Sequence, residues 1–316
     1  MVKTTVLGLL AAVQSVADRV ADALAGVGAV GAGCIVLALC LHVGAQAARG
    51  LGWHRALAAC WPDVGRRRAC AWYVCGAGLT GVLSARGGDA VRLALARREL
   101  PGSTWPALAG TAVVEAAAQL VVGLPTLALA VAIGVDAARP PSPVLVAGIA
   151  AAVAIGAILA VRSRRARGLL EELVRGCSAL RHPRRDMSRI VGWQLAGRLL
   201  RFAAVGCFLH AFGLPDSLAA VVTVGVVYGS ANVVPIPGAG TAASAGALLV
   251  ALPAATGHSV DAGAVSALVI AQPLLLTAVG VTISLILLAS SLGVRTPAAL
   301  VRSGRALIAE PSSPTA

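Results

Sequence analysis

Charged side chains are scarce in this sequence. Only 12% of its 316 residues are charged, with 13 acids and a single lysine, Lys3. Soluble domains carry roughly 25% charge, so a water-facing surface over the whole molecule is excluded. Aromatic residues make up 3%. The loops that build soluble active sites are missing as well. There is no G-x-x-x-x-G-K-[ST], no H-E-x-x-H, no G-x-S-x-G and no carboxylate cluster in a loop. The expectation is a protein that is not an enzyme and has no catalytic residues. The seven cysteines form no C-x-x-C pair, and the five histidines are scattered. Disulfides, metal and cofactors are therefore not expected.

What remains is apolar. Hydrophobic residues make up 58% of the chain, and the mean hydropathy is +0.86. Stretches of the ~20 residues needed to cross a hydrocarbon core of ~30 Å recur along its length. Full spans are expected at 24–44, 106–133, 143–161, 190–212 and 262–290. The short apolar run Val6–Val13, followed by polar Gln14–Asp22, reads as an interfacial helix rather than a signal peptide. The chain divides into an interfacial segment 1–23, one transmembrane domain 24–290 and a polar tail 291–316.

The net charge of +13 comes almost wholly from arginine. In a soluble protein that would suggest nucleic acid. Here the arginines lie between apolar spans, which points to cytoplasmic loops and anionic lipid, with no nucleic-acid partner. Loop 45–71 holds Arg49, Arg55, Arg66, Arg67 and Arg68, and loop 162–189 holds nine arginines. The opposite connections, 134–142, 213–217 and 257–261, hold one arginine and three aspartates. A multi-pass protein of the cytoplasmic membrane follows, with its N-terminus outside and C-terminus inside.

Two segments resist simple spanning. Residues 72–85 are apolar for only 14 positions before Arg86-Gly87-Gly88-Asp89, and a polar helix, 90–100, follows. Residues 218–234 run into Asn232-Val233-Val234-Pro235-Ile236-Pro237-Gly238-Ala239-Gly240 before helix resumes. Proline and glycine interrupt helices, so each is expected to be a re-entrant hairpin broken at its tip. The expected fold is all-α: a polytopic membrane bundle in which span, hairpin, span occurs twice, the second set inverted. Glu115 and Gln272 then lie at matching depths in the two closing helices. Inverted repeats with broken helices point to a transporter-like site.

Ionisable groups at membrane depth are costly and therefore candidates for function. They are Arg86, Asp89, Arg92, Glu115, Arg198 and Arg201. Asp89 and Arg92, one turn apart, can pair. Helix ends at the tips expose N–H groups suited to phosphate, and arginines clamp phosphate oxygens. The candidate headgroup site is Arg86, Gly87, Gly88, Asp89, Arg92, Glu115 and Arg198 with Asn232, Pro235, Pro237, Gly238 and Gly240.

The run Ser84-Ala85-Arg86-Gly87-Gly88-Asp89-Ala90-Val91-Arg92, Ser103 and Val114-Glu115 resembles the first signature of the lysylphosphatidylglycerol synthase transmembrane-region family. The run Asn232–Gly240 resembles its second, over an overall likeness of about 49–290. Departures are Ser84-Ala85 for the family's Pro-Gly, Glu115-Ala116 for its Glu-Arg, and Ser244 for a glutamate. The resemblance implies a flippase-like protein that binds or moves a membrane phospholipid or a polyprenyl-phosphate-linked glycolipid. The alternative is a non-catalytic accessory subunit that presents lipid to a separate glycosyltransferase or lipid synthase. No synthase domain follows the spans, so aminoacyl transfer is not expected.

Overall fold

The structure is a computed structural model that describes residues 29–83, 85–133, 164–231 and 239–292. Its described residues are helical apart from short turns. In order they form α1 (Ala29–Ala58), α2 (Arg66–Leu83), α3 (Ala85–Glu99), α4 (Trp105–Ala132), α5 (Arg164–Gly176), α6 (Ser188–Ala211), α7 (Leu218–Ala231), α8 (Ala239–Thr256) and α9 (Ala262–Leu292). Two short turns, Ser178–Arg181 and Pro183–Met187, join α5 to α6. The expected span 143–161, the whole of segment 1–23 with residues 24–28, and the tail beyond 292 lie outside the described residues.

Among the described residues, three helices are long and apolar enough to cross a membrane: Gly31–Ala58, Trp105–Ala132 and Ala262–Ser290. Helix α6 has the length, but Gln194, Arg198 and Arg201 lower its hydropathy. Two boundaries differ from the sequence reading. Helix α1 continues through 45–58, which the arginines suggested was loop, so Arg49 and Arg55 stand on helix. Helix α2 begins at Arg66 and therefore carries the basic triplet Arg66–Arg68 in its first turn. Leucine- and alanine-rich sequence propagates helix through isolated arginines, because arginine is itself a good helix former.

The first hairpin corrects a second expectation. Helix α3 starts at Ala85 and runs through Arg86-Gly87-Gly88-Asp89 rather than breaking there. The glycines serve packing. A Cβ on Gly76 would sit 2.5 Å from the Gly88 carbonyl oxygen and 2.9 Å from Arg92 Cβ. A Cβ on Gly88 would in turn strike the Gly76 carbonyl and Thr80. Small residues let two backbones touch where lipid supplies no hydrophobic push. The same device recurs where Gly78 meets Gly280 and Ser284 of α9, and where Gly110 of α4 meets Gly176 of α5. Ser284 Oγ seals the α2–α9 contact by donating to the Cys75 carbonyl at 2.9 Å.

The packing follows an internal exchange. Map α1 onto α6, α2 onto α7, α3 onto α8 and α4 onto α9. Among these eight helices the main contacts then have counterparts: α1–α2 with α6–α7, α2–α3 with α7–α8, and α3–α4 with α8–α9. Likewise α2–α9 corresponds to α4–α7, α1–α9 to α4–α6, and α1–α4 to α6–α9. Helices α1 and α6 pack directly on each other, as the pair that maps onto itself. Glu115 and Gln272 occupy equivalent positions in α4 and α9, and both are buried.

The close glycine contact makes a direct forecast. Gly76→Val should destabilise the protein by about 1–3 kcal/mol through overpacking, read as a lower melting temperature in detergent. Gly192→Ala, at an open exposed position on α6, should leave the melting temperature unchanged or raised. A Gly76→Val protein that melts with the wild type would contradict the close crossing.

Candidate functional site

Helix α4 is positioned by its own start. Thr104 caps it by accepting a hydrogen bond from the Ala107 amide at 3.3 Å, and Pro106 preorganises its first turn. The Thr104 hydroxyl also donates to Glu172 Oε2 at 2.9 Å, pinning this end to α5. Glu115 lies ten residues past Trp105, ~15 Å along the axis. It is 2% exposed.

A carboxylate so deep is tolerable only when its oxygens are occupied. Oε2 accepts from Arg92 Nη1 at 2.6 Å. Oε1 accepts from the Tyr73 hydroxyl at 2.7 Å and from Gln119 Nε2 at 2.8 Å, with Arg49 Nη2 at 3.6 Å. Arg92 is also ion-paired to Asp89 at 2.9 Å, as its one-turn spacing suggests. Its guanidinium lies 4.8 Å from the Tyr73 ring centre and 5.2 Å from that of Trp53. Cation–π contact of this kind adds to the ion pair once both are desolvated. Trp53 is itself held by donation to Thr111 Oγ1 at 3.1 Å.

Beside this knot lies a cavity of about 180 Å³ between α1, α4 and α6. Three helix faces border it, two of them polar along their length, each with the i, i+4, i+7 spacing of one helix face. They are His42, Gln46 and Arg49 on α1, Gln194, Arg198 and Arg201 on α6, and Gln119 with Val122 following Glu115 on α4. Glycines bring the rows together. A Cβ on Gly197 would lie 2.9 Å from Arg49 Cγ, and one on Gly123 would lie 3.0 Å from Arg198 Nη2. The lining includes three arginines and no carboxylate. Gln46 Oε1 and Gln194 Nε2 are buried there without a partner among the described residues. A smaller pocket of about 30 Å³ adjoins it, lined in part by His42, Arg201, Tyr228 and Gln272. No group of three or more metal-ligating side chains occurs among the described residues.

The expected site residues are only partly assembled here. Glu115, Arg92 and Asp89 form one connected cluster, and Arg198 lines the adjoining cavity. Gly88 lies at the α2–α3 crossing, and Gly87 stands beside it on α3. Arg86 lies in the first turn of α3 and Gly240 in that of α8, and neither is further described. Asn232, Pro235, Pro237 and Gly238 lie outside the described residues, so the expected meeting of the two tips does too. Sequence reasoning passed over Arg49, Tyr73, Trp53, Gln46 and Gln194. A signal existed: His42, Gln46, Arg49 and Trp53 share a helical face once helix is allowed past residue 44.

The described residues define an all-helical integral membrane protein with a buried polar site. Across residues 3–280 the chain matches the family described as Lysylphosphatidylglycerol synthase TM region, and it belongs to that family. The match begins inside the segment 1–23. No curated protein and no solved structure matches the chain. The family corrects one expectation. Lack of soluble-enzyme motifs suggested a protein that is not an enzyme, yet the family is named for a lipid-modifying synthase. Those motifs describe water-filled active sites, whereas the polar cluster around Glu115 is buried between helices.

Breaking the knot should be costly. Arg92→Ala leaves Glu115 buried with weakened compensation and should cost about 3–5 kcal/mol, measured as a drop in melting temperature. Replacing both partners, Arg92→Met with Glu115→Met, should recover much of that loss. Strict additivity of the two single changes would contradict the direct pair.

Proposed function

We propose that the chain binds a phosphate-bearing membrane lipid and moves its headgroup through the α1–α4–α6 cavity, as a flippase-like protein of the cytoplasmic membrane. The lipid is a phospholipid or a polyprenyl-phosphate-linked glycolipid. The observation that carries this reading is the unbalanced charge of the cavity: Arg49, Arg198 and Arg201 face it with no carboxylate in its lining. Arg92 is already engaged by Glu115 and Asp89, so it supports the wall rather than clamping a ligand. Three cations gathered at membrane depth repel one another, and an anion relieves that repulsion. Planar guanidinium forks match phosphate oxygens, while the unpartnered amide atoms of Gln46 and Gln194 suit a polar headgroup. Glu115 holds Arg49 at the cavity edge and keeps the excess positive charge from growing.

Arg198→Ala and Arg201→Ala should each weaken lipid binding or translocation in liposomes by about tenfold, the loss of one charge-assisted hydrogen bond. Arg185→Ala, on an exposed turn without an ion pair among the described residues, should change nothing. Equal activity in all three variants would refute the cavity assignment.

The orientation belongs to the same reading. The arginine-rich segment 162–189 is cytoplasmic and the N-terminus is outside. A cysteine replacing Arg185, in a background without native cysteines, should resist membrane-impermeant reagents in intact cells. Ready labelling from outside would reverse the topology.

A further inference from the structure

A second cavity, of about 440 Å³, opens between α2, α3 and the C-terminal part of α9. Its polar lining includes Arg67 and Arg68 at the start of α2 and Arg98 and Glu99 at the end of α3. The only acid in the lining is already engaged, since Glu99 accepts from Trp72 Nε1 at 3.3 Å and faces Arg68 at 3.6 Å. Arg67 and Arg98 are exposed and make no ion pair with the described residues. The first turn of α2 adds its unpaired amides and positive dipole end at the same place. The rest of the lining is of opposite character. Cys75, Leu95 and Leu287 continue it toward α9, the helix whose apolar residues Leu285 and Ile286 are exposed.

We propose that this cavity is a separate binding site for one anionic phospholipid, with its phosphate between Arg67 and Arg98 and an acyl chain lying along α9. A cationic rim over an apolar wall matches an amphiphile, whereas a free anion would use the rim alone. The basic first turn of α2 and the basic end of α3 place the rim at the level of lipid headgroups. The site shares no lining residue with the α1–α4–α6 cavity, so it can hold lipid whether or not that cavity does. A lipid held here lies against Cys75, whose carbonyl accepts from Ser284 Oγ, and so lies beside the α2–α9 contact.

The test counts phosphatidylglycerol retained by the full-length protein after purification from phosphatidylcholine vesicles doped with phosphatidylglycerol. Arg67→Gln with Arg98→Gln should lose about one retained lipid per chain, as removal of both phosphate-binding forks implies. Its melting temperature in lipid-free detergent should be unchanged, because both side chains are exposed. Arg198→Gln with Arg201→Gln reports on the other cavity, and its loss should add to that of the first pair. Glycerol 3-phosphate should not displace the lipid held by Arg67 and Arg98. Wild-type retention in the Arg67/Arg98 variant would overturn the proposal, whatever the Arg198/Arg201 variant does. Displacement by glycerol 3-phosphate alone would also overturn it, by making the occupant a soluble anion.

Discussion

A carboxylate buried among membrane helices must be neutralised and hydrogen-bonded, and Glu115 meets that demand from three helices at once. Arg92 of α3, Tyr73 of α2 and Arg49 of α1 all converge on it, with Gln119 from its own helix. Each donor can reach the carboxylate only if its helix lies close by. The glycine crossing of α2 and α3 at Gly76 and Gly88 sets Arg92 against Tyr73. Gly50 lets α1 approach α2, where an added Cβ would lie 3.1 Å from Cys70 Cα and Tyr73 Cβ. One ion pair and a few missing side chains thus hold the first hairpin against α1 and α4.

That same arrangement creates the cationic cavity. Arg49 sits between the carboxylate and the open space, its guanidinium 5.6 Å from the Tyr73 ring centre. Across the cavity Arg198 and Arg201 stand on α6, the helix that the packing exchange relates to α1. The exchange does not carry the acid with it. The position equivalent to Glu115 is Gln272, buried and uncharged, with its Oε1 lacking a protein partner among the described residues. One half therefore supplies a neutralised anchor and the other supplies surplus cations. An asymmetric charge pattern on a repeated frame suits a ligand that carries negative charge of its own.

Much of the fold was legible because apolar length and arginine placement obey simple rules in a membrane. The starts of α4, α6, α7 and α9 lie within two residues of the sequence reading. Boundaries failed where arginine was taken as a mark of loop: Arg49 and Arg66 to Arg68 are helical, and Arg49 belongs to the site. Gly87 and Gly88 were read as helix breakers, whereas Gly88 is a contact surface. Glycine carries both meanings, and only the opposing helix decides between them. Glu115 stood out as costly at its depth, and Arg92 as a partner for Asp89 one turn away. Tyr73 and Trp53 did not, because aromatic residues in an apolar run carry no sign that they will stack on a guanidinium.

Solid-state NMR can bring lipid phosphate and cavity into one measurement. The full-length protein, labelled with ¹⁵N at arginine, would be reconstituted with phosphatidylglycerol, and ¹⁵N–³¹P dipolar dephasing recorded for the guanidinium nitrogens. Contact with a headgroup in the α1–α4–α6 cavity predicts dephasing that persists in the Arg67→Gln/Arg98→Gln protein and is lost when Arg198→Gln and Arg201→Gln are added to that same protein. Dephasing that survives removal of Arg198 and Arg201 unchanged would show that no headgroup phosphate is held there.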